Sequence, residues 1–193
     1  MTKKDQIRKE VKEFYKKVST GEEKTSITAD ELYRSLGYDE TELALLPEEV
    51  KLGLSCGNPL ENLIVKQGET LLDLGSGTGM DVFLARIKFP EGGVFYGVDV
   101  LEEMVEKARN VAEKKGFERV EFRQGTLVDL PFQENTMDHV ISNCVINLEP
   151  DKQSVYKEIY RVLKPGGTCI LSDVILKKEL SKELREAKNL YGT

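Results

Sequence analysis

Apolar positions along this chain keep two rhythms, one before and one after residue 70. In the first stretch Ile7, Val11, Phe14 and Val18 recur at helical spacing and predict an amphipathic helix over residues 1–19. A polar loop over 20–28 follows, then a short helix over 29–36 that Gly37 ends and another over 40–50 that Pro47 breaks. Residues 53–59 are rich in small side chains and read as a loop. The pattern over 58–65 reads as a further helix, before Gln67-Gly68 turns the chain into its first strand. From there strand-length apolar runs alternate with helical ones. Strands fall at 70–74, 94–99, 120–124, 139–143 and 168–173. Helices fall over 80–88, 101–112 and 154–163, the last ended by Lys164-Pro165-Gly166-Gly167, and a charged helix over 180–190 follows the fifth strand. This alternation predicts an α/β fold, a doubly wound and mainly parallel sheet with an N-terminal helical cap, and a ligand site outside the carboxyl ends of the strands.

The turn after the first strand carries the sharpest chemical signal. Leu71-Leu72-Asp73-Leu74-Gly75-Ser76-Gly77-Thr78-Gly79 is an apolar strand ending in an acid, followed by three glycines on alternate positions. Glycines there let a ligand approach the backbone, and the loop brings N–H groups and a helix N-terminus to one spot. Asp99, twenty residues past Gly79 at the end of the second strand, can accept both hydroxyls of a ribose. Dinucleotide sites space their glycines G-x-G-x-x-G to seat a pyrophosphate. Here the spacing is G-x-G-x-G, and Asp73 stands two residues before Gly75. A carboxylate at that mouth repels pyrophosphate and suits a cationic ligand end, such as an α-ammonium and a sulfonium.

Composition narrows the partners. At 193 residues the chain is one domain with a sizeable core, and its formal charge of −6 argues against general nucleic-acid binding. Its basic start, with Lys3, Lys4, Arg8, Lys9, Lys12, Lys16 and Lys17, reads as the solvated face of a docking helix. The apolar runs are too short for a membrane span, and the N-terminus lacks the apolar stretch of a signal peptide. Three cysteines without such a signal imply reduced thiols and a cytoplasmic location.

With Asp73, the glycine loop and Asp99 in place, the chain resembles the S-adenosylmethionine-dependent methyltransferases of the Rossmann-like class. Two runs narrow the resemblance to the arsenite methyltransferases over about residues 8–176: Ser55-Cys56-Gly57-Asn58-Pro59 and Ser142-Asn143-Cys144-Val145-Ile146-Asn147-Leu148. Pro150-Asp151-Lys152 and the stretch from Glu158 to Gly167 add to it.

The resemblance implies S-adenosylmethionine as cofactor. Asp73, Gly75, Gly77, Asp99 and Asn143 would hold it, Val100 and Met104 would sandwich the adenine, and Thr126 and Leu127 would meet its edge. Thr126 stands where an acid is common in such enzymes, and Tyr15 would close over the cofactor. Cys56 and Cys144 would be the catalytic, arsenic-binding pair, because soft trivalent arsenic selects thiolates. A small-molecule substrate, arsenite or its thiol conjugate, and a thiol reductant complete the set, with no nucleic acid and no membrane.

Each of these residues also has a plainer reading. Met104 can be core, Tyr15 a surface-helix tyrosine, and either cysteine a small buried apolar residue. Cys169 reads as core within its strand, and His139 as a packed or surface side chain with no titratable partner. No cluster has the spacing of a structural zinc site.

The chain departs from the family in two respects. Two further strands normally follow the fifth, and a third arsenic-binding cysteine normally lies in a C-terminal region, whereas no cysteine follows Cys169. The expectation is that the C-terminal strands are missing, with the fifth strand an edge that a helix or another subunit covers. Residues 1–66 would be the cap and substrate-side loop, and 67–193 the cofactor-binding core. A small-molecule C- or O-methyltransferase with incidental cysteines, and a non-catalytic cofactor-binding fragment, remain the alternatives.

Overall fold

The computed structural model describes residues 2–20 and 28–179, so the helix expected over 180–190 lies outside the described residues. In chain order the N-terminal part contains α1 (Lys3–Thr20), α2 (Ala29–Ser35), α3 (Glu40–Leu43) and a 3-10 turn at Glu48–Val50. Then come β1 (Leu71–Leu74), α4 (Met80–Lys88), β2 (Phe95–Asp99), α5 (Glu102–Lys115) and β3 (Val120–Gln124). The chain continues through β4 (Met137–Asn143), a 3-10 turn at Ile146–Leu148, α6 (Lys152–Val162) and β5 (Leu163–Ser172). The strands form one sheet in the order β3-β2-β1-β4-β5, and every neighbouring pair runs parallel. This is the expected doubly wound α/β architecture, with helical segments ahead of the sheet.

Alternation along β1 divides the core. Leu71 joins Phe83, Phe95, Val105 and Ile141 on one face, whereas Leu72 and Leu74 join Val140, Val155 and Ile159 on the other. Both faces are covered, which is why β1 is buried at all four positions. Tyr33, Tyr38, Leu43, Leu46 and Val50 belong to the first of these cores, so α2, α3 and the turn after them share it with the sheet. Their local signals are clear: Thr28 and Glu31 form a capping box at the start of α2, and Asp39 caps α3.

Three expectations need correction. Residues 58–65 form a turn at 59–62 followed by irregular chain rather than a helix. Asn58 Oδ1 accepts the Leu60 N–H (3.0 Å), and Lys88 Nζ takes the Leu60 carbonyl (2.9 Å) that a helix would have kept for residue 64. Strand β5 begins directly at Leu163, so Lys164-Pro165-Gly166-Gly167 lies within it. Gly166 at φ +81° and a register shift opposite Met137–His139 accommodate the proline there. Third, Cys169 is exposed, because β5 has a strand neighbour on one side only among the described residues.

Of the two readings of His139 the packed one holds, but it does have a titratable partner, with its Nε2 2.9 Å from Glu69 Oε2. The pair sits at the amino end of the sheet, away from the strands' carboxyl ends. Among the described residues no helix is long and apolar enough to cross a membrane.

Candidate functional site

A cavity of about 520 Å³ opens at the carboxyl ends of the strands, roofed by α1. Its floor is the glycine loop and the end of β2, where Gly75, Gly77, Asp99, Val100 and Met104 line it. The loop after β3 adds Thr126 and Leu127, the end of β4 adds Asn143 and Cys144, and α1 contributes Tyr15. Ten of the sequence-predicted residues thus meet around one space. Asp73 and Cys56 stand outside its lining.

The glycine loop works by close approach rather than by free donors. Gly75 and Ser76 both give their N–H to the Val98 carbonyl (2.8 and 2.9 Å), and Gly77 gives its N–H to Asp99 Oδ2 (2.9 Å). At Gly77, with φ +51°, an added Cβ would meet nothing within 4 Å, so the backbone is bare to the cavity. The Asp99 carboxylate also accepts the Leu101 N–H (2.9 Å), which fixes both of its oxygens at the cavity wall.

Buried acids set the electrostatics. Burial raises the Asp99 carboxyl above the usual range, against the opposing backbone donors. Asp73, 3% exposed, is raised well above that range, first by burial and then by Asp81 and Asp99. Asp81 is raised too, but Tyr38 Oη (2.8 Å) and Asn143 Nδ2 (3.0 Å) donate to it, so Asp73 is the acid that keeps its proton longest. Of these three acids only Asp99 reaches the wall of the largely apolar cavity, where its carboxylate can accept hydrogen bonds from a ligand.

A second constellation adjoins the first. Cys56 Sγ, Cys144 Sγ and an Asp173 carboxylate oxygen lie within 4.8 Å of one another. Cys144 is held at φ +59°, a left-handed conformation rare for a residue with a Cβ, and its N–H donates to the Ser172 carbonyl (2.8 Å). Gly57 seats the Cys56 loop on β5, where an added Cβ would come within 2.7 Å of Ser172 Cβ. Burial, then the Cys144 thiol and Asp173, push the Cys56 thiol up to about 12, and burial raises Cys144 as well. Tyr15 lies within electrostatic reach of both cysteines and Asp99, and burial first, then these neighbours, push its phenol up to about 12.

The profile of a methyltransferase domain matches residues 65–193, more than half of the chain. The chain belongs to the methyltransferase-domain family. An arsenite methyltransferase of Halobacterium salinarum is 47% identical over 140 residues, covering 72% of this chain and 36% of that protein. One from Mus musculus is 35% identical over 204 residues, covering 97% of this chain and 53% of that protein. The crystal structure of CrArsM, an arsenic(III) S-adenosylmethionine methyltransferase from Chlamydomonas reinhardtii, superposes with a TM-score of 0.66 at 36% identity, over 80% of this chain and 52% of that one. The chain therefore spans between about a third and about half the length of these relatives.

In this methyltransferase domain, Asn143 is the joint between the two constellations. Its Oδ1 accepts the Cys56 N–H (3.1 Å), while its Nδ2 donates to Tyr38 Oη, the Gly57 carbonyl and Asp81. Although it lines the cavity, its amide is engaged by the Cys56 loop and its anchors. Asn143→Ala should free that loop and speed alkylation of Cys56 by about tenfold or more, with little change at Cys169, as mass spectrometry of the labelled thiols would read. Unchanged labelling would mean that the loop is held elsewhere.

Asp73 gives a pH test of the methyltransferase domain. The fold holds its proton to higher pH than the unfolded chain does, so native protein binds more protons between 3.8 and the raised value. Stability of the ligand-free protein should fall as pH rises through that window. Asp73→Asn should flatten the fall and melt higher at neutral pH; a lower melting temperature there would contradict the assignment.

Sequence reasoning missed Asp173, Asp81 and Tyr38. Asp173 was open to the same reasoning that found Asp73 and Asp99, since it too is an acid at a strand's carboxyl end. Tyr38 and Asp81 carry no such local signal.

Proposed function

We propose that this methyltransferase domain methylates trivalent arsenic, with S-adenosylmethionine as donor and Cys56 and Cys144 as the thiols that hold the arsenic. The observation that carries the reading is the meeting of two thiols from segments far apart in sequence beside a cavity that Asp99 helps to wall. The donor fits the cavity's chemistry: Asp99 for a ribose, and Val100 and Met104 as apolar flanks. Bound there, S-adenosylmethionine supplies a sulfonium methyl group as the electrophile.

The chain's own part is binding and positioning. Each thiol proton leaves with an arsenite hydroxyl as water when an arsenic–sulfur bond forms, so protonated thiols are the right starting state for neutral arsenite. Arsenic keeps its lone pair through this exchange, and no general base is needed. Cys144 lines the cavity itself, so an arsenic held by it would stand at the wall of the space the donor would fill. Such positioning can lower a barrier by about 7–11 kcal/mol. Tyr15 places an aromatic face at the same wall. In this reading residues 1–66 supply the cap and the substrate-side loop, a cellular thiol acts as reductant, and the reduced cysteines belong to the cytoplasm.

The test is a methyl-transfer assay with arsenite, added thiol and labelled S-adenosylmethionine, run on this chain and on a chain of its relatives' full length. Methylated arsenic from both supports the reading in full. Methylated arsenic from the longer chain alone makes this stretch the cofactor- and arsenic-binding part only. Transfer of label to an organic acceptor, with none to arsenic, would replace arsenite by a carbon or oxygen nucleophile.

A further inference from the structure

The thiol pair has a third neighbour that the methyl-transfer reading does not use. We propose that Cys56, Cys144 and Asp173 form a two-sulfur, one-oxygen site for a borderline-soft divalent cation such as Zn²⁺ or Cd²⁺. The three donor atoms, all within 4.8 Å of one another, come from three separate segments. Around a tetrahedral ion with metal–sulfur bonds near 2.3 Å and metal–oxygen bonds near 2.0 Å, neighbouring ligand atoms stand about 3.5–3.8 Å apart. The site therefore needs a closure of little more than about 1 Å.

Each donor is already fixed by hydrogen bonds that leave its ligating atom able to bind. Asp173 accepts the Asn147 N–H (2.9 Å) at Oδ2 and the Val174 N–H (2.8 Å) at Oδ1, which orients the carboxylate and leaves each oxygen a further lone pair. The Cys144 backbone is tied to Ser172, and the Cys56 backbone to Asn143. Thiolates select Zn²⁺ and Cd²⁺ over Mg²⁺ and Ca²⁺, and the carboxylate adds a charge that favours a dication. On binding, each thiol releases its proton to solvent as its metal–sulfur bond forms, and nothing is oxidised or reduced. Three protein ligands leave a fourth position for water. The same two sulfurs serve arsenite in the proposed function, and a seated dication would exclude it, a competition that rests on that reading while the cation site does not.

The full reduced chain, free of arsenite and S-adenosylmethionine, should be titrated with Cd²⁺ and followed by its ultraviolet thiolate-to-cadmium absorption. One equivalent should bind, with Zn²⁺ displacing it. Cys56→Ser and Cys144→Ser should each remove most of the absorption, and Cys169→Ser should leave it unchanged. Asp173→Asn, close in shape and checked for an unchanged melting temperature, should weaken binding by about tenfold or more while keeping the absorption at saturation. Asp173→Glu, which retains the carboxylate, should recover part of the loss. Equal affinity of Asp173→Asn and the parent, or loss of the site in Cys169→Ser, would overturn the proposal. Cadmium binding without arsenite binding would sink the arsenite reading and leave this one standing; arsenite binding without cadmium binding would do the reverse.

Discussion

Cys144→Ser should leave the protein folded and unable to retain arsenite. Serine matches the shape of cysteine, but its hydroxyl is a hard oxygen that stays protonated at neutral pH and cannot stand in for a thiolate on a soft centre. The second thiol also gains from being tethered beside the first, since a ligand held in place acts at a high effective concentration. Losing it should cost at least about 10²-fold in affinity. Cys56→Ser should behave alike, although Cys56 stands behind the cavity wall while Cys144 forms part of it. Cys169→Ser should bind as the parent does, because Cys169 lies exposed on β5 and apart from the pair. Equilibrium dialysis with counted arsenic reads the affinity, and protection of both thiols from alkylation gives an independent measure. A Cys144→Ser protein that holds arsenite as tightly as the parent would end the metalloid reading and favour an organic methyl acceptor.

Asp99→Ala should be the most damaging single change at the cofactor. The carboxylate forms part of the cavity wall and also fastens the glycine loop to the end of β2 through Gly77 and Leu101. Removing it takes away charge-assisted bonds to the ligand worth about 1.5–3 kcal/mol, between about tenfold and about 150-fold in affinity. Calorimetry with S-adenosylmethionine or its demethylated product measures this directly. Tight binding by the variant would remove Asp99 from the site. Binding of a nicotinamide dinucleotide in place of S-adenosylmethionine would return the cavity to the other nucleotide class.

Much of this was legible in the sequence where the causes are local. The unit from Leu71 to Lys88 announces itself because an apolar strand, alternate glycines and a helical period follow within a few residues. β3 and α4 have the bounds that their patterns predict, and Asp99 follows from its place at a strand end. The failures share a different cause, namely partners distant in the chain. Residues 58–65 have a helical pattern, yet Leu60, Leu63 and Val65 are buried by the sheet's own core and Lys88 claims a carbonyl the helix needed. Cys169 has the pattern of a core strand, but a core position requires a neighbour beyond β5. Asn143 looks like one more cavity residue until its four partners on Cys56, Gly57, Tyr38 and Asp81 are seen. Local patterning therefore located the cavity, but the network that sets the thiols beside it needed the fold.

Helix α1 roofs that cavity with little apolar anchorage, since Ile7 is its one buried large apolar side chain. It is held on both flanks by charge. Arg8 grips Glu149 with two short bonds (2.7 and 3.0 Å), and Lys4 meets Asp151 at 2.9 Å. On the other side Lys16 pairs with Glu103 at 2.8 Å, and Lys107 reaches the Ser19 carbonyl. Counter-ions weaken such links as the screening length shrinks from about 8 Å at physiological ionic strength to about 3 Å near 1 M salt. The roof is thus fastened chiefly by charge, and added salt that leaves the apolar core intact weakens its hold on the cavity.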